Sequence, residues 1–276
     1  MHRLALSVLA TVGAACASTP PRSYPGESLV PREGEVLVPA GTVRLGSPDD
    51  EPGHDGDEGP LLEVHVPAFA IDATEVTVEA FWLQRASIAK REPMAGFWTE
   101  ADTPAEWSGK CNLGSTRSGH PANCVDFLAA RTFCRLRGGD LPTEAEWERA
   151  ARVDGASGAY PWGGAFEPER AVSSVSCGTR GCRGGTEPVA RAGPRCNALG
   201  ICDLAGNVWE WTLTGYRERL GPYVSEVPVE TPANPVHRGG SWLNHVPTLF
   251  RAAQRGLAYP RHGLTGVGFR CVRRAP

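Results

Sequence analysis

Nine cysteines punctuate a chain of 276 residues, and their placement constrains the fold more than any other feature of the sequence. Cys16 stands apart from the rest, because it follows Arg3 and the apolar segment LALSVLATVGAA, Leu4 to Ala15. About a dozen residues cannot cross roughly 30 Å of hydrocarbon, which takes ~20 in a helix, so residues 1–15 read as a signal peptide. Small residues followed by a cysteine are the arrangement of a bacterial lipoprotein signal, in which Cys16 is lipidated and becomes the mature N terminus. Gly13 departs from that arrangement, standing where such signals usually carry leucine. Residues 16–32, rich in Pro, Ser and Gly between Thr19 and Ser28, then read as a tether between membrane and domain. The expected location is the bacterial cell envelope, with a lipidated N terminus as the membrane anchor; periplasmic or secreted protein is the alternative.

Beyond Cys16 the other eight are Cys111, Cys124, Cys134, Cys177, Cys182, Cys196, Cys202 and Cys271. An even number in an exported chain argues for disulfides. Zinc is the rival for such a set, but no C-x-x-C pair occurs and the spacings Cys177 to Cys182 and Cys196 to Cys202 are wide for it. The 33 glycines and 24 prolines favour turns and irregular loops over a helical bundle. A hydrophobic content of 41% is enough for a buried core. With Lys+Arg 28 against Asp+Glu 31, the net charge of −3 excludes electrostatic binding to nucleic acid or a polybasic grip on membranes.

Along the chain, EVLVPAGTVRL from Glu35 to Leu45 suits a β-turn-β opening. The loop SPDDEPGHDGDEGP carries six carboxylates but lacks the spacing of an EF-hand, and is expected to be a solvated loop. After the strand-like LLEVHVPAFAID, a helix can start at Thr77. A second follows in VDFLAARTFCRLR, where Val125, Leu128, Ala129, Phe133 and Leu136 fall at helical spacing and Gly138-Gly139 stop it. A third begins in LPTEAEWERAAR, where Thr143 and Glu146 have the spacing of a capping box. Beyond it, Gly, Pro and single tryptophans separate short β-like pieces, with no linker and no internal repeat.

Four segments, in order, carry a resemblance: VPAGTVRLGS with IDATEVT, LPTEAEWERAAR with YPWG, DLAGNVWEW, and RGGSW with GFRCV. Together they resemble the formylglycine-generating enzyme or sulfatase-modifying factor family over residues 33–273. The resemblance implies an α+β fold, a single domain related to C-type lectins with little regular secondary structure. Active members oxidise a sulfatase cysteine to formylglycine with O₂, using copper(I) held by two cysteines, soft ligands suited to that ion. Aligned on Gly239, Gly240, Ser241 and Trp242, those two positions are Asn244 and Leu249 here. Neither an amide nor an alkyl group replaces a thiolate, so copper is not expected and no catalytic residue is assigned. Trp242, Asn244 and His245 are the candidates for lining a groove, with Arg251 beside them, although Trp242 and Arg251 suit core packing equally.

The resemblance also implies a structural Ca²⁺ held by Asp203, the carbonyls of Gly206 and Val208, and Glu210, a set of hard oxygen donors. A tight turn packed by Trp209 and Trp211 is the alternative for the same segment. The family's second calcium pattern is absent from SSVSCGTRGCRGGTEPV. The resemblance further pairs Cys134 with Cys271, while a second family pair falls on Ala151 and Ala252. The other six cysteines allow 15 connectivities, with short-range pairs such as Cys177 with Cys182 among them. The function this favours is a binding or assembly module for a protein or peptide partner at the cell envelope, without copper oxidase activity. Two alternatives stay open: an altered metal-dependent oxidase using His245, and formylglycine generation through another cysteine pair.

Overall fold

The computed structural model describes residues 29–99, 109–152, 158–175 and 185–275. The signal peptide, Cys16, residues 16–28 of the tether and the Cys177–Cys182 segment lie outside these described residues.

Two prolines bend the opening of the chain. Strands β1 (Glu35–Val38) and β2 (Gly41–Leu45) flank Pro39, and β3 (Leu62–Val66) and β4 (Phe69–Asp72) flank Pro67. Proline donates no ladder hydrogen bond, so each run breaks there. The expected β-turn-β opening is present as β1 and β2 about Pro39, but the two strands do not pair with each other. Instead β2 pairs β3 from Gly41↔Val66 to Leu45↔Leu62, and β1 pairs β4 from Val38↔Phe69 to Glu35↔Asp72. The two prolines thus turn one antiparallel ribbon from one sheet into another. Strand β9 (Val272–Arg274) adds to the far edge of β4.

Three helices follow from local capping. In α1 (Val78–Arg91) the Thr77 hydroxyl accepts from the Ala80 amide, and in α2 (Phe127–Leu136) the Asp126 carboxylate accepts from Ala129. Helix α3 (Glu144–Ala151) opens with both halves of the Thr143–Glu146 capping box, satisfying two amides that a helix start leaves unpaired. Gly138, at φ +78°, turns the chain out of α2, a conformation that costs glycine little.

The third sheet runs β7-β6-β5-β8, with β5 (Trp209–Gly215), β6 (Pro235–Arg238), β7 (Arg255–Leu257) and β8 (Val267–Gly268); only β5 and β8 are parallel. One core lies where α1 and α2 pack on this sheet, around Phe81, Phe127, Phe133, Trp211 and Phe269. A second lies between α3 and the proline-bent ribbon, around Trp147, Leu45, Phe69 and Ile71. Among the described residues, small sheets, three helices and long connections make an α+β fold. Among the described residues no helix is long and apolar enough to cross a membrane.

Among the described residues, disulfides join Cys111 to Cys124, Cys134 to Cys271 and Cys196 to Cys202. Cys134–Cys271 spans 137 residues and fastens α2 to the end of the chain. At the positions of the family's second pair, Ala151 and Ala252 are instead both buried in the second core.

The acidic loop departs from expectation, since it is not simply solvated. Glu58 is fully buried, and both its oxygens accept from Arg251, at 2.6 and 2.7 Å. Arg251 also reaches Glu51 and the Gly53 carbonyl, Arg255 donates to the Asp57 carbonyl, and Gln254 donates to Asp55. A buried carboxylate needs a paired cation to offset its lost hydration, and the C-terminal half of the chain supplies it.

Candidate functional site

The family's copper position falls on the loop after β6, and two glycines shape its start. Gly239 and Gly240 have φ of +99° and +77°. A side chain at Gly240 would meet Phe250 Cδ1 at 2.5 Å and the Leu249 carbonyl at 2.8 Å. Only glycine meets both demands there. Arg238, just before them, is fully buried: it donates to Glu144, Glu148 and the carbonyls of Ala252 and Ala253, and lies over the Trp147 ring. The loop is thereby anchored to α3.

Beyond the glycines, Asn244 closes a tight turn. Its Oδ1 accepts from the Ser241 amide at 2.8 Å and lies 3.3 Å from the Ser241 hydroxyl, while its own amide donates to the Ser241 carbonyl. Its carbonyl accepts from Ser174. The side chain standing at the first thiolate position is thus consumed in holding backbone. Leu249, at the second, is a partly exposed alkyl group on the turn Pro247–Phe250. Ser241 is buried, so its hydroxyl is not presented to solvent.

Of the groove candidates, Trp242 requires correction. It is 7% exposed, its indole donates to the Thr265 carbonyl, and its amide donates to Asn207. It packs beneath the loop and offers a partner little surface. Arg251 is likewise buried, committed to the acidic loop. His245 is exposed, with Leu243 and Val246 as exposed apolar neighbours. All six cysteines of the described residues are in disulfides, so none of these sulfurs is a free thiolate. Among the described residues no group of three or more His, Cys, Asp or Glu is arranged to hold a metal.

The segment from Asp203 to Glu210 lies under the loop. Asp203, Gly206 and Asn207 all have positive φ, at 59°, 86° and 62°, which coils the backbone tightly. Asp203 Oδ2 accepts from the Ala190 amide, while its buried Oδ1 lies 3.1 Å from Arg195 Nε and accepts no hydrogen bond. The carbonyls of Gly206 and Val208 receive no hydrogen bond among the described residues. These three oxygens are acceptors of the segment left for a hard cation, with Asp203 Oδ1 already facing the Arg195 guanidinium. Glu210 fits less well, because its oxygens accept from Arg270 Nε and Nη2 and from the Trp147 indole, each at 2.7 Å. One of about four acceptor positions remains on it.

Sequence reasoning missed Glu75, within the IDATEVT segment. It is buried, accepting from the Val208 amide at 3.0 Å and Asn207 Nδ2 at 2.6 Å. Burial, and then the charges of Asp203 and Glu210, push its pKa well above the ordinary carboxylate range. Burial also raises Asp203, against the pull of Arg195. Three buried carboxylates therefore share this region with Arg195 and Arg270. The signal was a second carboxylate, three residues after Asp72, in the short strand-to-helix passage IDATEVT.

Residues 22–275 match the model of the sulfatase-modifying factor enzyme 1-like domain. The formylglycine-generating enzyme of Thermomonospora curvata is 30% identical over 298 residues, covering 91% of this chain and 96% of that protein. The inactive C-alpha-formylglycine-generating enzyme 2 of Bos taurus is 31% identical, covering 86% of this chain and 87% of its own length. Among solved structures, PvdO from Pseudomonas aeruginosa matches with a TM-score of 0.68 at 27% identity, over 87% of this chain and 94% of that one. By its ordered motifs, its α+β fold and these matches, the chain belongs to the family of formylglycine-generating-enzyme-like, sulfatase-modifying-factor domains.

Proposed function

We propose that this chain is a non-catalytic member of its family, a binding or assembly module for a protein or peptide partner at the bacterial cell envelope. Export rests on the Leu4–Ala15 leader, and lipid anchoring on Cys16 at its end. The observation that carries the loss of oxidase chemistry is the turn closed by Asn244: an amide bonded to Ser241 stands where a copper thiolate is required, with Leu249 at the other position. Without soft sulfur ligands, copper(I) has no site in this loop. The resemblance to an inactive relative supports the same reading.

A structural calcium belongs to the proposal. Asp203 Oδ1 and the carbonyls of Gly206 and Val208 would hold it, with the free position of Glu210 completing the set. The excess of buried carboxylates supports a cation there. When bound, it supplies charge neutralisation to the coiled segment and takes no part in any reaction.

The test is mass spectrometry of a cysteine-containing sulfatase peptide incubated with the protein, copper and O₂. Conversion of thiol to aldehyde removes ~18 Da, and no such loss is expected where thiolate ligands are missing. Its appearance, at a rate set by protein concentration, would overturn the reading.

A further inference from the structure

Between the end of β4, the first turns of α1 and the last turn of α2 lies an open cavity of about 420 Å³ that shares no residue with the loop after β6. Its volume is in the range of small-molecule sites. The apolar wall includes Val76 and Leu83, and Leu83 leaves 77% of its surface exposed. The polar wall holds two carboxylates, Asp72 and Glu75, and two guanidiniums, Arg137 and Arg191. Arg137 donates twice to Asp72, each at 2.8 Å, so their charges cancel. Glu75, the other acid of the wall, is turned to the Val208 amide and Asn207. Arg191 has no ion pair or hydrogen bond among the described residues, so although the formal charges of the wall balance, its guanidinium is the one without a partner. Gln84 adds an uncharged amide.

We propose that this cavity binds a monocarboxylate bearing a short apolar chain, with the carboxylate on Arg191 and the chain against Leu83 and Val76. Guanidinium and carboxylate match in planar, two-point geometry. One unpaired guanidinium matches a monoanion; a phosphate dianion would meet Asp72 and Glu75 with no second unpaired cation to offset it. The apolar chain gains by covering Leu83, which is left exposed among the described residues.

Isothermal titration of the protein with sodium hexanoate, hexan-1-ol and hexylamine tests this. Hexanoate should bind saturably, one per chain, with the alcohol and the amine at least tenfold weaker. Arg191→Gln, at an exposed position, should leave thermal unfolding unchanged and weaken hexanoate at least tenfold. Equal binding of the three probes, no saturable binding of hexanoate, or wild-type affinity in Arg191→Gln would overturn the proposal.

Discussion

His237 lies with its ring between Trp209 and Trp211, at centroid distances of 4.9 and 5.7 Å, and its Nδ1 is buried without a partner. Burial drives its pKa from 6.5 down to about 4. The native state therefore resists a proton that the unfolded chain accepts, so the contribution is whole above pH 6.5 and is lost on acidification toward pH 4. The loss is about 1.4 kcal/mol per pH unit, about 3 kcal/mol in all. Asp126 acts with the opposite sign, since burial raises it to about 6 and its protonation on acidification favours the fold. The difference between wild type and His237→Gln, measured by denaturant unfolding from pH 7.5 to 4, isolates the histidine. The variant should show a flatter profile; two parallel profiles would mean that His237 is not held neutral by burial.

At the scale of elements, the acidic loop and the turn Pro247–Phe250 with the residues just after it hold each other. Arg251→Met leaves Glu58 buried without its cation, and breaking a buried pair this way costs about 3–5 kcal/mol. Unfolding by denaturant should register that loss, and proteolysis should speed up in the loop between Pro48 and Asp57. A loss below about 1 kcal/mol would show that the loop is not fastened by this pair. The coiled segment from Asp203 to Glu210 makes a second prediction. Calcium at 100 times its dissociation constant should stabilise the fold by about 2.7 kcal/mol over the chelator-treated protein. Identical thermal unfolding in calcium and in chelator would remove the ion from the account. These two elements mark the limit of sequence reading. The Thr143–Glu146 cap was legible because its partners are three residues apart and its geometry is local. The Glu58–Arg251 pair, 193 residues apart, leaves no periodic trace, and a run of carboxylates looks the same whether it faces water or a buried arginine. Glu210 was expected as a calcium ligand from the family resemblance, but its capture by Arg270 depends on how β5 meets the C-terminal segment.

At the scale of the molecule, the proposed reading is that the scaffold outlasts the chemistry. The two cores, the Cys134–Cys271 bond across 137 residues and the buried Arg238 cluster all position the loop after β6. That loop then presents Asn244 and Leu249 where the family's copper ligands stand. Fold and function separate here because the site occupies a few side chains on a framework that is stable without them. Anaerobic titration of the protein with copper(I), in competition with a chromophoric chelator, tests this most directly. The account predicts that the chelator keeps all the copper. One copper ion held tightly per chain would contradict it.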